Sequence, residues 1–329
     1  MDADAARRNL TGCYTTIPTL FRDDADLSVD LDGIRQHVRF LLDGGLRTGN
    51  AVLLAGGAAG DFSTLTFDER LAVAEAVIDE AAGRVPIAMG GQTTSTQELQ
   101  RLVRAAERLG ADYVQVSPPF YFDTTEDDFY EHVVAGADAG AVGLILYNTF
   151  WTSLGMSSKM VERVAEIPYV VGLKWATPDT GFMAFEQVVT RFKDRFSIID
   201  NQMRYVISHM LGARSIEIHQ GNYWPQFAAG MWAMLERGDY VTAQHELVRV
   251  AMPYMMLWGE MEAFTSGDGY LDKLCMELVG LPSSRSRPPT RDVRPLFRER
   301  CRQMLLDAGV PNVVGTPAVA GTPAVAGVA

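Results

Sequence analysis

Short apolar segments alternate with amphipathic stretches through the first three quarters of the chain. Each apolar segment has five or six residues, and this length and composition are typical of parallel strands that are covered on both faces. The stretches between them are long enough for the crossover helices that join parallel strands. The predicted strands are 13–17, 51–55, 85–89, 112–117, 142–147, 169–174, 196–200 and 214–219.

The intervening stretches have the spacing of amphipathic helices. Apolar residues recur at intervals of three and four within 31–41, so that one stripe can pack on a sheet. Thr66 with Glu69, and Ser95 with Glu98, have the spacing of capping boxes that open helices. Eight strand–helix units predict an α/β fold whose sheet closes into a (β/α)8 TIM barrel.

The alternation stops after a predicted eighth helix at 224–237, and this change divides the chain. We predict a barrel domain over 1–238 and a C-terminal helical appendage over 239–312, where the pattern is helical and rich in Met and Leu. Residues 313–329 repeat a Gly-Thr-Pro-Ala-Val-Ala unit with no helical period, which predicts a disordered, low-complexity tail.

Charge and cysteine content limit the kinds of binding partner and the cellular compartment that we expect for this protein. The 329 residues carry a net charge of -12 with scattered basic residues, which argues against a nucleic-acid partner but leaves small carboxylates possible. Cys13, Cys275 and Cys301 are far apart along the sequence and form no CxxC, so we expect neither a disulfide framework nor a thiolate metal site.

The N-terminus lacks an apolar signal region, and no run resembles a membrane span. We therefore expect a cytoplasmic protein with no membrane partner.

Reacting groups of a barrel gather where its strands end, and Lys174 ends the sixth predicted strand. After four apolar or small residues, its amine is expected to point into the barrel mouth, where loss of hydration would lower its pKa and yield a neutral nucleophile. The alternative is a lysine that ends a strand and reaches solvent.

Tyr147 ends the neighbouring fifth strand, so the two side chains can meet above the barrel. Carbinolamine formation and dehydration both need proton transfer beside the amine, which a phenol can provide. The alternative is a tyrosine that only packs at the rim. Asn148 follows directly and is a further candidate to contact a substrate.

The segment after the second strand contains Gly57, Ala58, Ala59 and Asp61. Its glycines allow a tight turn in which several backbone N–H groups converge, and such a nest can hold a carboxylate. The spacing matches neither a P-loop nor a dinucleotide fingerprint, and the alternative is an ordinary turn.

The eighth strand carries two ionisable residues among isoleucines. Period-two alternation turns Glu217 and His219 into the mouth while Ile216 and Ile218 face the helices. Both polar residues are candidates for acid–base work on a second substrate, and the alternative is a structural pair. Asp200, at the end of the seventh strand, is a candidate for a polar contact.

From about residue 12 to 289 the chain resembles the dihydrodipicolinate synthase and N-acetylneuraminate lyase family of pyruvate-type class I aldolases. The matching segments, in chain order, are GGAAGDFSTLTFDER, VSPPFYF, ILYN, VVGLKWAT and RPPT. The resemblance implies that Lys174 forms the imine with no other cofactor and that Tyr147 relays protons. It also implies a homotetramer or dimer in which Tyr121 reaches a neighbouring subunit's site.

Two departures from the family bear on the substrate. Ala58 and Ala59 stand where family members that bind pyruvate usually carry hydroxyl residues. The segment after Tyr147 lacks the arginine with which dihydrodipicolinate synthases grip the semialdehyde carboxylate, and it offers Trp151 as a surface for stacking. These departures predict that lysine-pathway dihydrodipicolinate synthesis is disfavoured and that the second substrate is less charged and more apolar.

The sequence therefore predicts a Schiff-base-forming lyase, of aldolase or hydratase-aldolase type, that acts on a pyruvate-like 2-oxo acid and an aldehyde. One alternative is a Schiff-base dehydratase of a 2-oxo-3-deoxy sugar acid. Another is a binding homologue that has lost activity. No cluster of His, Asp and Glu has convincing ligand spacing, so we expect no metal.

Overall fold

Eight parallel strands form a closed barrel in a computed structural model that describes residues 2–176 and 184–314. Each strand pairs with its neighbours in chain order, and β8 closes the barrel on β1. The predicted TIM barrel is confirmed, with strand ends within two residues of those expected. The strands are β1 Gly12–Ile17, β2 Ala51–Ala55, β3 Ile87–Gly90, β4 Tyr113–Val116, β5 Gly143–Asn148, β6 Val170–Trp175, β7 Ser197–Asp200 and β8 Ser215–Glu217.

Helices cover the outside of the barrel. They are α2 Leu31–Asp43, α3 Phe67–Ala81, α4 Thr96–Leu109, α5 Glu126–Ala137, α6 Ser158–Val164, α7 Ala184–Phe192, α8 Tyr205–Leu211 and α9 Pro225–Glu236, after an N-terminal α1 Ala3–Asn9. The capping box at Thr66 and Glu69 is confirmed. The second predicted box is half formed, because Ser95 caps the Glu98 N–H while the Glu98 carboxylate accepts from Thr93.

Two apolar cores follow from strand alternation. One lies between sheet and helices, and the other fills the barrel with residues that include Tyr14, Tyr113 and Ile199. Helix α1, which was not predicted, closes the lower end of the barrel, where the Tyr113 hydroxyl donates to the Ala6 carbonyl at 2.9 Å. Its sequence gives little signal, since Ala6 is its one buried residue.

Further helices follow the barrel: α10 Tyr240–Glu246, a π-helical turn Leu247–Ala251, α11 Met252–Glu262, α12 Tyr270–Leu278 and α13 Arg294–Asp307. Packing of α12 on α13 brings Cys275 and Cys301 together as buried free thiols with their sulfurs 3.6 Å apart. Within the described residues, no helix has the length and apolar character needed to cross a membrane.

The predicted tail begins in ordered structure. Val313 is buried, and the N–H of Val314 donates to the carbonyl of Leu278 at 2.7 Å. The rest of the predicted tail, 315–329, lies outside the described residues.

Candidate active site

A cavity of about 160 Å³ opens at the carboxyl ends of the strands, above the barrel core. It collects most of the residues that the sequence singled out, together with several from the helices after the barrel. The predicted residues that line it are Ala58, Ala59, Tyr147, Trp151, Lys174, Glu217 and His219.

Strand pairing brings Lys174 and Tyr147 to the same level of the barrel. The two residues are register partners in β5 and β6, and the next partner, Ile199 of β7, belongs to the interior core. The Lys174 side chain therefore points inward, and the residue is only 4% exposed. Its Nζ lies 4.5 Å from the centre of the Tyr147 ring, so the phenol and the amine share one wall of the cavity.

Lys174 forms a buried ion pair with Glu217. The distance from Nζ to Glu217 Oε2 is 2.6 Å, and the other carboxylate oxygen accepts from the Thr16 hydroxyl at 3.0 Å. Thr16 is the penultimate residue of β1, next to β8 in the closed barrel, and was not predicted. Glu217 is thus held by two strand-borne donors and can take a proton from the amine over a hydrogen-bond distance.

The ion pair reverses the expected basicity of Lys174. Burial pulls its pKa down, but the Glu217 carboxylate and Tyr147 together oppose burial and raise the pKa above its ordinary value. The prediction of a lowered pKa is therefore wrong. Closure of the barrel places the Glu217 carboxylate of β8 against the Lys174 amine of β6. The residues next to Lys174 in the sequence give no sign of this carboxylate.

Tyr147 is held as a protonated phenol. Burial raises its pKa, while Lys174 and a hydrogen bond with Thr149 oppose that rise without cancelling it. The side-chain amide of Asn201 donates to the phenol oxygen at 3.4 Å. This arrangement suits a group that gives and takes a proton in turn.

His219 lies one inward-facing position beyond Glu217, while Ile216 and Ile218 belong to the core under the helices, as alternation predicted. Its Nδ1 lies 2.9 Å from Oδ2 of the fully buried Asp272. Burial lowers the pKa of His219, but the Asp272 carboxylate outweighs it and raises the pKa to about 9. Asp272 lies in α12, more than 50 residues along the chain, and was not predicted.

The glycine-rich segment after β2 forms part of the cavity wall through backbone and small side chains. A Cβ on Gly57 would lie 2.6 Å from a methyl of Leu54, so a larger residue there would have to displace a side chain of the barrel core. Within the part of the chain that the structure describes, the N–H groups of Ala58 and Ala59 have no hydrogen-bond acceptor. Both are available to a ligand carboxylate.

Asp61 anchors that segment instead of lining the cavity. It adopts a left-handed conformation with φ 55°, and its Oδ2 lies 2.7 Å from Lys273 Nζ in a second buried ion pair. Its predicted role as a substrate contact is not matched by its position, because the carboxylate points toward α12.

Three other predicted residues lie away from the cavity. The Asn148 side chain accepts from the Met156 N–H at 3.0 Å, and Asp200 accepts from the Ser208 hydroxyl at 2.6 Å. Asp200 pairs in register with Trp175, not with Lys174, so it faces the helices. Tyr121 is 88% exposed, and its contribution to a neighbouring subunit stays a prediction.

A second hollow of about 340 Å³ adjoins the first and shares Ala58, Tyr147, Trp151 and Asp268 with it. Aromatic and small polar side chains complete its wall, among them Phe62 and Phe120. Tyr147 therefore lies where the two hollows meet. Within 2–176 and 184–314, no group of three His, Cys, Asp or Glu side chains is arranged to hold a metal ion.

The comparison with protein families agrees with this geometry. A family model described as "Dihydrodipicolinate synthetase family" matches residues 9–307. The chain belongs to this family. Membership supports a class I Schiff-base lyase, the general class expected from Lys174 and Tyr147.

Curated relatives cover most of the chain. The chain is 28% identical over 298 residues to a protein of Methanospirillum hungatei, which covers 89% of this chain and 98% of the relative. It is 31% identical over 237 residues to a protein of Neisseria gonorrhoeae, which covers 71% of this chain and 79% of the relative. Both relatives are named 4-hydroxy-tetrahydrodipicolinate synthase.

A solved structure of dihydrodipicolinate synthase from Acinetobacter baumannii, complexed with pyruvate, superposes with a TM-score of 0.81 at 26% identity. The alignment covers 92% of this chain and 99% of that protein. A protein called CdNal from Clostridium difficile, in complex with mannosamine, superposes with a TM-score of 0.78 at 18% identity and shows the shared fold.

These relatives contradict the substrate prediction. The sequence departures led us to expect that lysine-pathway synthesis is disfavoured and that the acceptor is apolar, yet the curated relatives carry the name of that synthase. The inference gave too much weight to one missing arginine. Binding of a charged acceptor depends on all groups around the cavity, and His219 contributes a cationic side chain that the segment after Tyr147 lacks.

Proposed function

We propose that this chain is a class I lyase in which Lys174 forms an imine with a pyruvate-type 2-oxo acid, and that the derived enamine reacts reversibly with an aldehyde. The observation that carries the proposal is the buried Nζ of Lys174, which faces a hollow and lies 2.6 Å from the Glu217 carboxylate. A buried amine beside a base and a phenol is the constellation that imine chemistry requires.

Imine formation can proceed with the three side chains as they stand. Glu217 takes one proton from the Lys174 ammonium, and the neutral amine then adds to the keto carbon. Tyr147 relays one proton from the nitrogen to the alkoxide oxygen, which becomes the hydroxyl group of the carbinolamine. Glu217 returns its proton to that hydroxyl, which leaves as water and produces an iminium next to the restored carboxylate.

The high pKa of Lys174 fits this order of events. A permanently neutral amine would need no base, whereas an ammonium that is paired with Glu217 must pass its proton on before it attacks. After dehydration the iminium places a positive charge in the same position, so an ion pair with the restored Glu217 carboxylate forms again. Transfer of a C3 proton from the iminium to the Glu217 carboxylate yields the enamine.

The 2-oxo acid carboxylate is assigned to the N–H groups of Ala58 and Ala59, because both lack an acceptor among the described residues and line the same cavity as Lys174. Two hydroxyl donors that family members use are absent there. Each missing neutral hydrogen bond costs about 1 kcal/mol of binding free energy, so we expect a raised KM for pyruvate with an unchanged mechanism.

The adjoining hollow is assigned to the aldehyde. It meets the first hollow at Tyr147 and Trp151, so an aldehyde there can approach the enamine carbon. The reaction named for the curated relatives, 4-hydroxy-tetrahydrodipicolinate synthesis, is the first condensation to measure, followed by a panel of other aldehydes.

Borohydride trapping tests the proposal directly. The chain has only four lysines, Lys159, Lys174, Lys193 and Lys273, so peptide mapping of an adduct is simple. We expect reduction in the presence of pyruvate to add one pyruvate-sized group, on Lys174. Lys159 and Lys193 are exposed and report nonspecific labelling.

The controls for this experiment are reduction without pyruvate and reduction of a Lys174→Ala variant. The proposed function would be overturned if Lys159 or Lys193 were labelled at the same rate as Lys174. It would also be overturned if folded protein gave no adduct with pyruvate or with larger 2-oxo acids.

A further inference from the structure

Imine chemistry at Lys174 leaves the ionisable side chains of Asp268 and His219 at the mouth without a task. His219 lines the cavity, and its Nδ1 is engaged with Asp272 at 2.9 Å. Its Nε2 has no hydrogen-bond partner among the described residues. Nε2 is therefore the nitrogen that remains for a substrate.

The imidazole is fixed by a built framework. Asp272 is fully buried, and its second oxygen accepts from the Tyr254 hydroxyl at 3.0 Å. The Tyr254 ring also stacks on the imidazole, with centres 5.4 Å apart and an interplanar angle of 24°. One tyrosine thus orients both the carboxylate and the ring, in the way that a third residue orients a catalytic histidine.

The position of His219 separates it from the groups that serve the imine nitrogen. Glu217 contacts Nζ directly. His219 lies beyond the carboxyl end of β8, separated from Glu217 by the extended residue Ile218, which corresponds to about 6.5 Å between the two Cα atoms. Bond formation between the enamine and an aldehyde creates a negative charge on the aldehyde oxygen. That oxygen needs a proton donor of its own, further out than the imine.

We propose that His219, oriented by Asp272 and Tyr254, donates the proton to the acceptor's carbonyl oxygen as the carbon–carbon bond forms. This rests on the proposed function of Lys174. The enamine carbon bonds to the aldehyde carbon, the carbonyl π electrons move to oxygen, and the Nε2 proton passes to that oxygen to give a hydroxyl. His219 is left neutral and regains a proton from water. In cleavage the neutral imidazole removes the same hydroxyl proton.

The charges around His219 keep it in the donor form at neutral pH. Its pKa of about 9 means that most molecules carry the imidazolium, since the Asp272 carboxylate outweighs the cost of burial. Condensation by the protonated form should therefore decline as the pH rises through about 9. The titratable groups near the imidazole are Asp272, Asp268, Glu217 and Tyr254, with His37 beyond Asp272.

The first test is His219→Gln, with His245→Gln of the exposed His245 as the matched control. We expect the His219 variant to label Lys174 with pyruvate and borohydride at the wild-type rate. Its kcat for condensation should fall by about 10² to 10⁴, the usual contribution of general acid catalysis. The control should match the wild type in both measurements.

The second test is the pH profile of kcat in Asp272→Asn, which keeps the shape but removes the charge. Without the carboxylate the pKa of His219 should fall, so the alkaline decline near pH 9 moves to lower pH. A residue with a merely structural role would reduce kcat without moving the profile.

The outcomes separate this proposal from the one on Lys174. Failure of pyruvate trapping in wild-type protein would refute the imine. The His219→Gln variant could instead show normal trapping, an unchanged kcat and a raised KM for the aldehyde. That result would mean that His219 only binds the acceptor, and it would refute the acid role. Should the Asp272 variant not fold, the His219 variant alone decides, since an alkaline decline retained in it would also overturn the proposal.

Discussion

The described part of the chain contains two buried lysine–carboxylate pairs with nearly identical distances and different surroundings. Lys174 lies 2.6 Å from Glu217, and Lys273 lies 2.7 Å from Asp61. Each amine also faces an aromatic ring, Tyr147 in the first pair and Phe21 in the second. The first pair lines a cavity, whereas Lys273 is fully enclosed and also donates to Ser286 at 3.1 Å.

The pair with the less basic amine is not the pair that is suited to catalysis. Burial lowers the pKa of Lys273 despite Asp61, while Glu217 and Tyr147 raise the pKa of Lys174. A search for the most depressed lysine would therefore select Lys273. Its side chain is fully enclosed, and its partner Asp61 fixes the segment that carries Ala58 and Ala59. Access for a substrate, together with a base that can move a proton, distinguishes the reactive pair.

The largest expected effect is the loss of activity in Lys174→Ala. Without the amine there is no imine, and we expect turnover to fall by about 10⁴ or more, as for removal of a covalent nucleophile. The fold should persist, because the mouth is already open to a cavity. Steady-state turnover and borohydride trapping measure the loss. An active Lys174→Ala protein would show that the Lys174–Glu217 pair is not the reactive one.

The corresponding change in the enclosed pair should act on stability. Lys273→Met keeps most of the side-chain volume but leaves the Asp61 carboxylate buried and unpaired, which should cost about 3–5 kcal/mol of unfolding free energy. Urea unfolding followed by circular dichroism measures it. Molecules that remain folded should still trap pyruvate on Lys174. A loss of trapping with no loss of stability would show that the enclosed pair also has a chemical role.

Glu217→Gln should change the chemistry of the open pair without removing its amine. Glutamine can still accept from Thr16, but it no longer opposes burial, so the pKa of Lys174 should fall. Trapping should then reach half its maximal rate at a lower pH. Turnover should drop by about 10² because dehydration of the carbinolamine loses its acid–base group. A trapping profile that stays at the wild-type pH would mean that Glu217 does not control the amine.

Tyr147→Phe should have a smaller effect, because Glu217 remains to exchange protons with the amine. We expect imine formation to slow by about tenfold to a hundredfold with no change in the unfolding midpoint. Stopped-flow measurement of imine formation is the appropriate readout. An unchanged rate would remove the phenol from the mechanism.

The comparison also shows what the sequence could predict. The barrel followed from local patterns, namely short apolar segments, amphipathic stretches and the capping residues Thr66 and Glu69. Lys174 and Tyr147 were found because strand ends converge, and alternation turned Glu217 inward. Each of these inferences uses residues within one strand–helix unit or the known geometry of a closed barrel.

The unpredicted residues depend on contacts between distant parts of the chain. Asp268 lies just before α12, and Asp272 lies within it. Both residues are close to the barrel mouth, although they follow β1 by more than 200 residues along the chain. Their sequence shows only an acidic helix start. The pairing of Asp61 with Lys273 likewise spans 212 residues. No periodicity within a single segment contains this information, and the pKa of Lys174 was mispredicted for the same reason.

The smallest expected effect comes from removing both charges of the enclosed pair. In a double variant, Asp61→Asn with Lys273→Met, no unpaired charge remains buried, and the cost should fall to about 1 kcal/mol or less, since buried ion pairs are often replaceable at little cost. Urea unfolding of the double variant and of both single variants, Lys273→Met and Asp61→Asn, completes a double-mutant cycle. The coupling energy of the pair is the double-variant value minus the two single-variant values. The reactive pair offers no such rescue, because Glu217→Gln combined with Lys174→Met would remain inactive however stable it became. The double variant of the enclosed pair could instead lose pyruvate trapping while it stays folded. The charge on Asp61 would then be needed to hold the Ala58 and Ala59 amides in position, and the enclosed pair could no longer be called purely structural.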